Sequence, residues 1–201
     1  MLAAAAGMAA GRRVGALAPG RSGETERRRG DRLVKSCCGF ESYSCAFGGL
    51  LTGPSPVDRA RAGSKHHVLT DACGLPLALT LTGGNRNDVT QLLALIDGVR
   101  PVAGKVGRPR KRPEVLLADR GYDHDKYRRE VRARGIKPVI SRRGTSHGSG
   151  LGRQRWVVER TFTWLHQFRR LRIRWERDPE QHLALLYLAA AIICWRRLRS
   201  L

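Results

Sequence analysis

Four short segments of the chain have the apolar pattern of buried strands. Residues 66–70 and 75–82 flank the turn-forming triplet Ala72-Cys73-Gly74, which predicts an antiparallel strand pair. An unbroken apolar run at 115–119 ends at Asp119, and a shorter apolar segment follows at 138–141. Apolar runs of this length, bounded by turn residues, favour strands over helices.

Apolar residues at helical spacing predict four helices, one before the 115–119 strand and three after it. The third helix contains Glu159. The fourth includes the apolar stretch 183–195, which predicts a helix buried in the core, because about 20 residues are needed to span a bilayer. Asn87 or Asp88 is the predicted cap of the first helix. The second helix is predicted to begin at a cap formed by Asp123 and to end at Gly135.

The predicted order is strand, strand, helix, strand, helix, strand, helix, helix. Antiparallel strands followed by βαβ units predict an α/β fold, with a mixed sheet and helices on both faces. The turn-rich segment 52–56 marks the start of this domain, which we place at residues 51–201. Residues 1–50 are dense in Gly, Ala and Arg and lack a sustained period. We expect them to be low-complexity and disordered, with 37–47 as their one candidate strand.

The charge of the chain is strongly unbalanced. It has 38 Lys and Arg against 17 Asp and Glu, a net charge of +21, which indicates a polyanionic partner, nucleic acid before an anionic membrane. A merely basic protein without such a partner is the alternative. Five cysteines without paired C-x-x-C spacing disfavour a zinc site and a disulfide framework, and they fit a reducing cytosol.

One face of the Glu159 helix is basic and carries a single acid near its centre. At 100° per residue from Arg155, the side chains of Glu159, His166 and Arg170 all fall within about 60°. Val158 and other apolar residues lie on the opposite side. A surface salt bridge between Arg155 and Glu159 is the alternative interpretation of this face.

Asp119 stands at the carboxyl end of a predicted strand, where sheets with crossover helices commonly hold their chemistry. A turn or cap role is the alternative. Acids repel a polyanion, so Asp119 and Glu159 are best explained by a divalent cation between them and a phosphate. Carboxylates hold the metal ions used in phosphodiester cleavage. We therefore predict that both residues bind metal, and we expect a third acid.

Several segments within residues 52–201 resemble the catalytic domain of DDE-class transposases of bacterial insertion sequences, close to the insertion-sequence-five-like group. They are Thr-Gly-Pro-Ser-Pro-Val-Asp-Arg (52–59), Gly-Ser-Lys-His-His (63–67), Leu-Ala-Asp-Arg-Gly-Tyr-Asp (117–123), His-Gly-Ser-Gly-Leu-Gly (147–152) and Arg-Trp-Val-Val-Glu-Arg-Thr-Phe (155–162). The resemblance implies an RNase H-like fold, with Asp119 and Glu159 as the second and third acids of a catalytic triad that binds Mg²⁺ or Mn²⁺.

The resemblance also implies a reaction and its partners. Such a transposase binds the double-stranded DNA of its element ends and its target, and catalyses metal-dependent phosphodiester hydrolysis and strand transfer in DNA transposition. We expect a homodimer in the bacterial cytoplasm, associated with the nucleoid and not with a membrane. The expected DNA contacts are Arg155, His166, Arg170, Arg160, Lys65, Arg108 and Arg110.

Some of these positions depart from the family pattern or have a second interpretation. The family has Tyr and Lys where this chain has Gly152 and His166. Arg108 and Arg110 lie in a Gly-Arg-Pro segment like those that enter the DNA minor groove, although a solvated basic loop is an equal alternative. For His66 and His67 we predict strand packing and not metal ligation.

The first acid of the triad is missing from the position that the resemblance gives. Counting back from the segment at 52–54 leads to Cys37-Cys38-Gly39, where there is no acid, and nothing around the nearby Glu41 matches the family. The stretch resembles one whose reading frame was lost, so we expect the first strand to be degraded or missing. A catalytically defective DNA-binding remnant of a transposase is therefore the alternative function.

Overall fold

A computed structural model describes residues 35–102, 109–144 and 152–199. The strands of this part of the chain are β1 (Lys35–Cys45), β2 (Gly53–Pro54), β3 (Ala62–Asp71), β4 (Pro76–Gly83), β5 (Val115–Ala118), β6 (Lys137–Ile140) and β7 (Ile173–Arg174). The α-helices are α1 (Leu92–Asp97), α2 (Asp125–Ala133), α3 (Gly152–Leu165) and α4 (Pro179–Arg199). Short 3₁₀ turns lie at Asp88–Gln91, Arg120–Tyr122 and Arg169–Leu171.

The strands form one mixed sheet in the order β2-β3-β1-β5-β6, with β4 paired to β3 and β7 paired to β1. β1 runs antiparallel to β3 and parallel to β5, and β5 runs parallel to β6. The parallel strands β5 and β6 are connected by α2, as in a βαβ unit. The mixed α/β architecture predicted from the residue pattern is therefore confirmed.

Helices cover both faces of the sheet, and alternate strand residues supply the two cores. Cys38, Leu69 and Leu116 belong to the core on the face of α1 and α2. Their sequence neighbours Cys37, Val68 and Leu117 belong to the other core, which contains Val158 and Phe162 of α3 and Leu186 of α4. This alternation follows from the two-residue period of a strand. It explains why the central strands are apolar on both sides.

β1 is the main departure from the sequence prediction. We expected the first strand to be degraded or missing and residues 1–50 to specify little structure. Instead, β1 pairs with β3 along its length, from Ser36 with Asp71 to Ser44 with Gly63. It also pairs with β5 from Lys35 with Val115 to Cys37 with Leu117. The strand largely coincides with the candidate strand at 37–47, and it is fixed by partners on both sides.

Helix boundaries agree with the predicted signals in two places and differ in one. The Asn87 side chain caps the 3₁₀ turn before α1 by accepting a hydrogen bond from the backbone N–H of Val89. Gly135 follows α2 with a φ of 75°, the left-handed conformation common after a helix. The N-cap of α2 is His124 and not Asp123, because the Asp123 carboxylate pairs with a guanidinium from within α2 instead.

The two histidines at 66 and 67 lie inside the protein on β3, as predicted. His67 Nε2 lies 2.7 Å from Thr82 Oγ1, and His66 Nε2 lies 2.8 Å from His182 Nε2 of α4. Nearby, the buried guanidinium of Arg174 donates hydrogen bonds to Ser64 Oγ and to several backbone carbonyls. These contacts are structural and give the histidines no exposed face for a metal.

α4 differs in part from the helix that we expected to be buried. Its buried residues lie along one face and are His182, Leu186, Ala189, Ala190 and Ile193. The opposite face includes Leu188 and Trp195, which are 58% and 57% exposed. Among the described helices, none is both long enough and apolar enough to cross a membrane.

Candidate active site

Residues from three parts of the fold line one open pocket of about 490 Å³. β1 contributes Glu41, the segment after β5 contributes Asp119, and α3 contributes Glu159, followed by His166 just beyond its end. The remaining lining residues are Gly39, Phe40, Tyr122, Val158, Phe162 and Thr163. The structure therefore brings the two predicted acids and one predicted DNA contact to the same site.

Sheet register explains why β1 reaches the site. Cys37 is level with Leu117, so two residues further along β1 the chain is level with Asp119, which follows the end of β5. Beyond that point β1 continues past the carboxyl end of β5. Because side chains alternate, Gly39 and Glu41 point to the same face as Cys37, the face covered by α3.

A network of arginines fixes the turn that carries Asp119. Asp119 itself is the N-cap of the turn at Arg120–Tyr122, and its side chain accepts a hydrogen bond from the Arg120 N–H at 2.5 Å. The buried carboxylate of Asp123 pairs with the Arg128 guanidinium at 2.6 Å and accepts from the Arg143 N–H at 2.7 Å. Burial acts to raise the pKa of Asp123, but these two partners outweigh it and hold the pKa below its ordinary value.

α3 places Glu159 at the pocket through close packing against β1. Val158 and Phe162 are buried against the sheet, whereas Glu159 is exposed on the adjoining face of the helix. A Cβ atom added at Gly39 would lie only 2.9 Å from Val158 Cγ2, so the glycine permits this close approach. The apolar side of the helix was predicted correctly from its period.

Glu41 and His166 contact each other across the pocket. His166 Nε2 lies 3.1 Å from Glu41 Oε2 and 3.0 Å from the hydroxyl of Tyr43. Burial, and then the neighbouring Glu41 carboxylate, raises the pKa of Tyr43 well above its ordinary value. The tyrosine therefore stays protonated and donates to Glu41 at 3.1 Å. Glu41 is the acid that the sequence motifs did not identify, because its neighbours match no family segment.

The carboxylates of the pocket are chemically suitable ligands for a divalent cation. Carboxylate oxygens are the ligands that Mg²⁺ and Mn²⁺ prefer in proteins, and Mg²⁺ is often held by one or two carboxylates together with water and substrate phosphate. Within the described residues, no three His, Cys, Asp or Glu side chains lie close enough together to hold a metal ion by themselves. The described residues therefore fit a metal ion held by two carboxylates together with a phosphate of the substrate. They do not fit a metal ion held by protein ligands alone.

Lys65 is in a different environment from the one that we expected. It is 5% exposed, and its Nζ donates to Asp88 at 2.8 Å and to the carbonyl of Arg86 at 2.9 Å. Its ammonium also lies 4.8 Å from the centre of the Phe40 ring. We had expected Lys65 to contact DNA, and the structure corrects this expectation. Its ammonium is buried and paired, so it has no surface to offer a phosphate.

The other predicted DNA contacts lie at different places. Arg160 of α3 is not among the lining residues; its guanidinium lies over the rings of Trp156 and Trp164 and donates to the carbonyl of Cys73 at 2.7 Å. Arg170 lies beyond the end of α3 with a largely exposed side chain, and pairs with Glu176 at 2.6 Å. The helical angle predicted for Arg170 therefore does not apply.

Three predicted contacts are distant or not described. Arg110 is exposed and pairs with Glu114, away from the residues that line the pocket. Arg108 lies outside the described residues, and so does the side chain of Arg155, although the backbone at 155 belongs to α3. Of the predicted DNA contacts that the structure describes, His166 is thus the one that lines the pocket.

Comparison with known proteins identifies the family of the chain. The sequence model of the family described as "Transposase DDE domain" matches residues 50–194. A Burkholderia cepacia protein assigned as the transposase for insertion sequence element IS402 is 55% identical over 199 residues, covering 99% of this chain and 94% of that protein. A Brucella ovis protein assigned as the transposase for insertion sequence element IS6501 is 28% identical over 141 residues. This alignment covers 67% of this chain and 98% of that protein.

The chain therefore belongs to the DDE transposase domain family. More particularly, it groups with the DNA transposases of bacterial insertion sequences. The IS402 alignment includes most of residues 1–50, so that segment is shared with a relative and is not peculiar to this chain.

A chain of a simian T-cell lymphotropic virus intasome, in complex with PP2A regulatory subunit B56 gamma, aligns with 68% of this chain and 39% of its own length. The two chains are 12% identical in sequence, and the TM-score of their superposition is 0.42.

Proposed function

We propose that this protein cleaves and joins DNA at the ends of an insertion sequence, with Asp119 and Glu159 as its metal-binding acids. One observation carries the proposal: a strand end and a helix, about forty residues apart in sequence, bring these two carboxylates to one open pocket. The family membership supplies the DNA substrate, and the net charge of +21 supplies the attraction to it.

Asp119 and Glu159 would hold Mg²⁺ or Mn²⁺ together with a phosphate of the bound DNA. Such a cation would activate the attacking oxygen and stabilise the charge on the leaving oxygen. The turn that carries Asp119 is fixed by the Asp123–Arg128 pair, so Asp119 is held in place before DNA binds. Glu159 lies on a helix that packs against the sheet, and this packing fixes its position.

We assign Glu41 as the additional acid of the site, beside Asp119 and Glu159. It is the acidic residue of β1 that lines the pocket, and it lies on the same strand face as Gly39, the position at which the family expectation found no acid. Its present partners are His166 and Tyr43. A His166 side chain drawn toward a DNA phosphate would release this carboxylate toward the pocket.

The basic residues around the pocket would hold the DNA backbone. His166 lines the pocket, Arg170 is exposed beyond the end of α3, and Arg155 is a third candidate on the same helix. We further propose that the protein acts as a homodimer on double-stranded DNA at the bacterial nucleoid in the cytoplasm. These contacts determine the position of the DNA backbone and do not by themselves read its sequence.

A nicking assay on DNA that carries the element's own ends tests this proposal. The wild-type protein should nick that DNA only with Mg²⁺ or Mn²⁺, and Asp119→Asn and Glu159→Gln should each lower the rate at least about a hundredfold, as expected when a catalytic metal ligand is lost. Asp97→Asn, at the exposed end of α1 and not among the residues that line the pocket, serves as the matched acid-to-amide control. Nicking without metal, or undiminished nicking by both variants, would contradict the proposal.

A catalytically defective remnant remains the second candidate, and one observation favours it. No three potential metal ligands of the described residues converge on one point. A remnant would bind end DNA in a salt-sensitive manner and nick it at no concentration of either metal. The same assay, run with a parallel binding measurement, therefore separates the two candidates.

A further inference from the structure

The outer face of α4 is apolar, which is unusual for a helix at the surface of a protein. With Leu188 as reference and 100° per residue, the buried residues fall between about 100° and 200°. The exposed residues of the opposite face fall between about −80° and 20°. This outer face consists of Gln181, Ala184, Leu188, Ala191, Trp195 and Leu198.

These exposed residues recur at alternating spacings of four and three. Such spacing is the seam of a two-helix coiled coil, in which a second helix covers the stripe. The three large members, Leu188, Trp195 and Leu198, are 58%, 57% and 46% exposed. A helix that is apolar on both faces normally has both faces covered. Within the described structure, the sheet and α3 cover one face. No other described element packs on the outer face, where the Arg199 guanidinium of α4 itself lies 4.9 Å from the centre of the Trp195 ring.

We propose that this outer face of α4 is a homodimer interface, in which α4 of a second copy packs antiparallel against the first. A two-fold axis between Ala189 and Ala190 sets the register. It pairs Ala184 with the partner's Trp195, and Leu188 with the partner's Ala191. Each of these layers joins a large side chain to a small one.

The parallel arrangement fits less well. It would place Trp195 against Trp195 and alanine against alanine, which crowds one layer and leaves a gap in the next. It would also bring the basic C-terminal ends together, each with Arg196, Arg197 and Arg199. The antiparallel arrangement instead sets each basic end beside the acidic N-terminal end of the partner, which carries Asp178 and Glu180.

The interface is small, so the dimer should be weak in the absence of DNA. The stripe from Gln181 to Leu198 spans about 26 Å of helix. One helix from each copy gives an interface at the low end of specific contacts, with micromolar affinity. Two chains of net charge +21 also repel each other, so moderate salt should favour association.

Sedimentation velocity of the full chain, without DNA or metal, tests the interface. In about 0.3 M salt, the average mass should rise with concentration from 22.3 kDa toward twice that value. Leu188→Arg should weaken association at least tenfold and leave the circular dichroism spectrum unchanged. Val57→Arg, at an 81% exposed residue outside α4, is the matched control and should associate like the wild type.

Cross-linking tests the orientation in a background in which Ser replaces Cys45, Cys73 and Cys194. Ala184→Cys and Trp195→Cys proteins should form a disulfide dimer when mixed, and neither should do so alone. A wild type that stays monomeric, a dimer that survives Leu188→Arg, or a cross-link by Ala184→Cys alone would each overturn the proposal. Because neither measurement involves DNA cleavage, a negative result here counts against the homodimer and leaves the proposed metal-dependent cleavage untouched, and the reverse also holds.

Discussion

The buried side chain of His67 should make the stability of the fold depend on pH. Burial, and then the nearby Lys65 ammonium, lowers its pKa to about 4. The folded state thus takes up this proton less readily than the unfolded chain, in which histidine titrates near about 6.5. The stabilising contribution is therefore complete above pH ~6.5 and is lost as the pH falls from there toward 4.

We predict that the free energy of unfolding falls by about 2 kcal/mol between pH ~7.5 and ~5 through His67 alone. His67→Gln retains a hydrogen-bonding side chain near Thr82 but does not titrate, so the decrease should be smaller by that amount. Denaturant titrations at both pH values measure it. His124→Gln, at a half-buried surface position, is the control. An unchanged decrease in His67→Gln would show that the buried histidine titrates normally.

The ion pair between Asp123 and Arg128 should contribute strongly to stability because both side chains are buried, at 7% and 6% exposure. Asp123→Ala leaves the guanidinium without its partner, which we expect to cost about 3–5 kcal/mol of unfolding free energy. Glu114→Ala breaks the exposed pair with Arg110 and should cost no more than about 1 kcal/mol. Equal losses in chemical denaturation would contradict the structural role of Asp123.

Single residues were predicted best where their chemistry agrees with a local pattern. Asp119 follows an apolar run and Glu159 interrupts a basic face, so each was visible in the sequence and both line the pocket. Lys65 and Glu41 were not predictable in this way. The first is buried by pairing with Asp88, and the second reaches the site through the register of β1 with β5. Both outcomes depend on contacts between distant segments.

At the scale of elements, the packing of β1 against α3 positions the pocket. The added Cβ of an alanine or larger residue at Gly39 would meet Val158, whose branched side chain is itself buried. We predict that Gly39→Val lowers the free energy of unfolding by about 1–3 kcal/mol, the usual cost of overfilling a packed core.

Gly121→Val is the matched control, because a Cβ there would have no atom within 4 Å, and its effect should stay within about 0.5 kcal/mol. Both changes are compared by denaturant titration of the purified variants. If Gly39→Val proves as mild as the control, then β1 and α3 are not in close contact at this position.

Elements with a strong local period were recovered from the sequence, and those fixed by distant partners were not. Residues 75–82 and the second helix were placed within a few positions, because turns and a terminal glycine mark their ends. β1 lacks clean alternation, so its residue pattern predicted only a candidate strand at 37–47, and the strand acquires its place in the sheet from β3 and β5. α4 is apolar on two faces, and its sequence therefore predicted a fully buried helix.

At the scale of the whole molecule, net charge governs binding to DNA. Each phosphate that the protein neutralises should steepen the slope of log affinity against log salt by about −0.9. We predict that Arg170→Ala makes this slope shallower by about one unit, because its exposed guanidinium lies beyond the end of α3.

Arg134→Ala is the control for this slope. Its guanidinium lies on the surface around α2, where it pairs with Asp97 and Glu130, and it is not among the residues that line the pocket. Its removal should therefore leave the slope unchanged. Fluorescence anisotropy across a series of salt concentrations measures both slopes. Equal slopes for the wild type and Arg170→Ala would remove Arg170 from the DNA surface.

The charge, the motifs and the α/β pattern together led from the sequence to the family, and the family comparison agrees. The sequence could not show that β1 completes the sheet or that a third acid reaches the pocket. Both depend on the folded arrangement of strands, which no local pattern encodes.

The most direct test of the central claim is a titration of Mn²⁺ into the complex with end DNA, followed by electron paramagnetic resonance. If Asp119 and Glu159 hold the cation, then Asp119→Asn and Glu159→Gln should each weaken Mn²⁺ binding at least tenfold without changing the affinity for DNA. Glu130→Gln, at an exposed acid of α2 that does not line the pocket, should bind Mn²⁺ like the wild type. Equal Mn²⁺ binding by the wild type and both pocket variants would contradict the account.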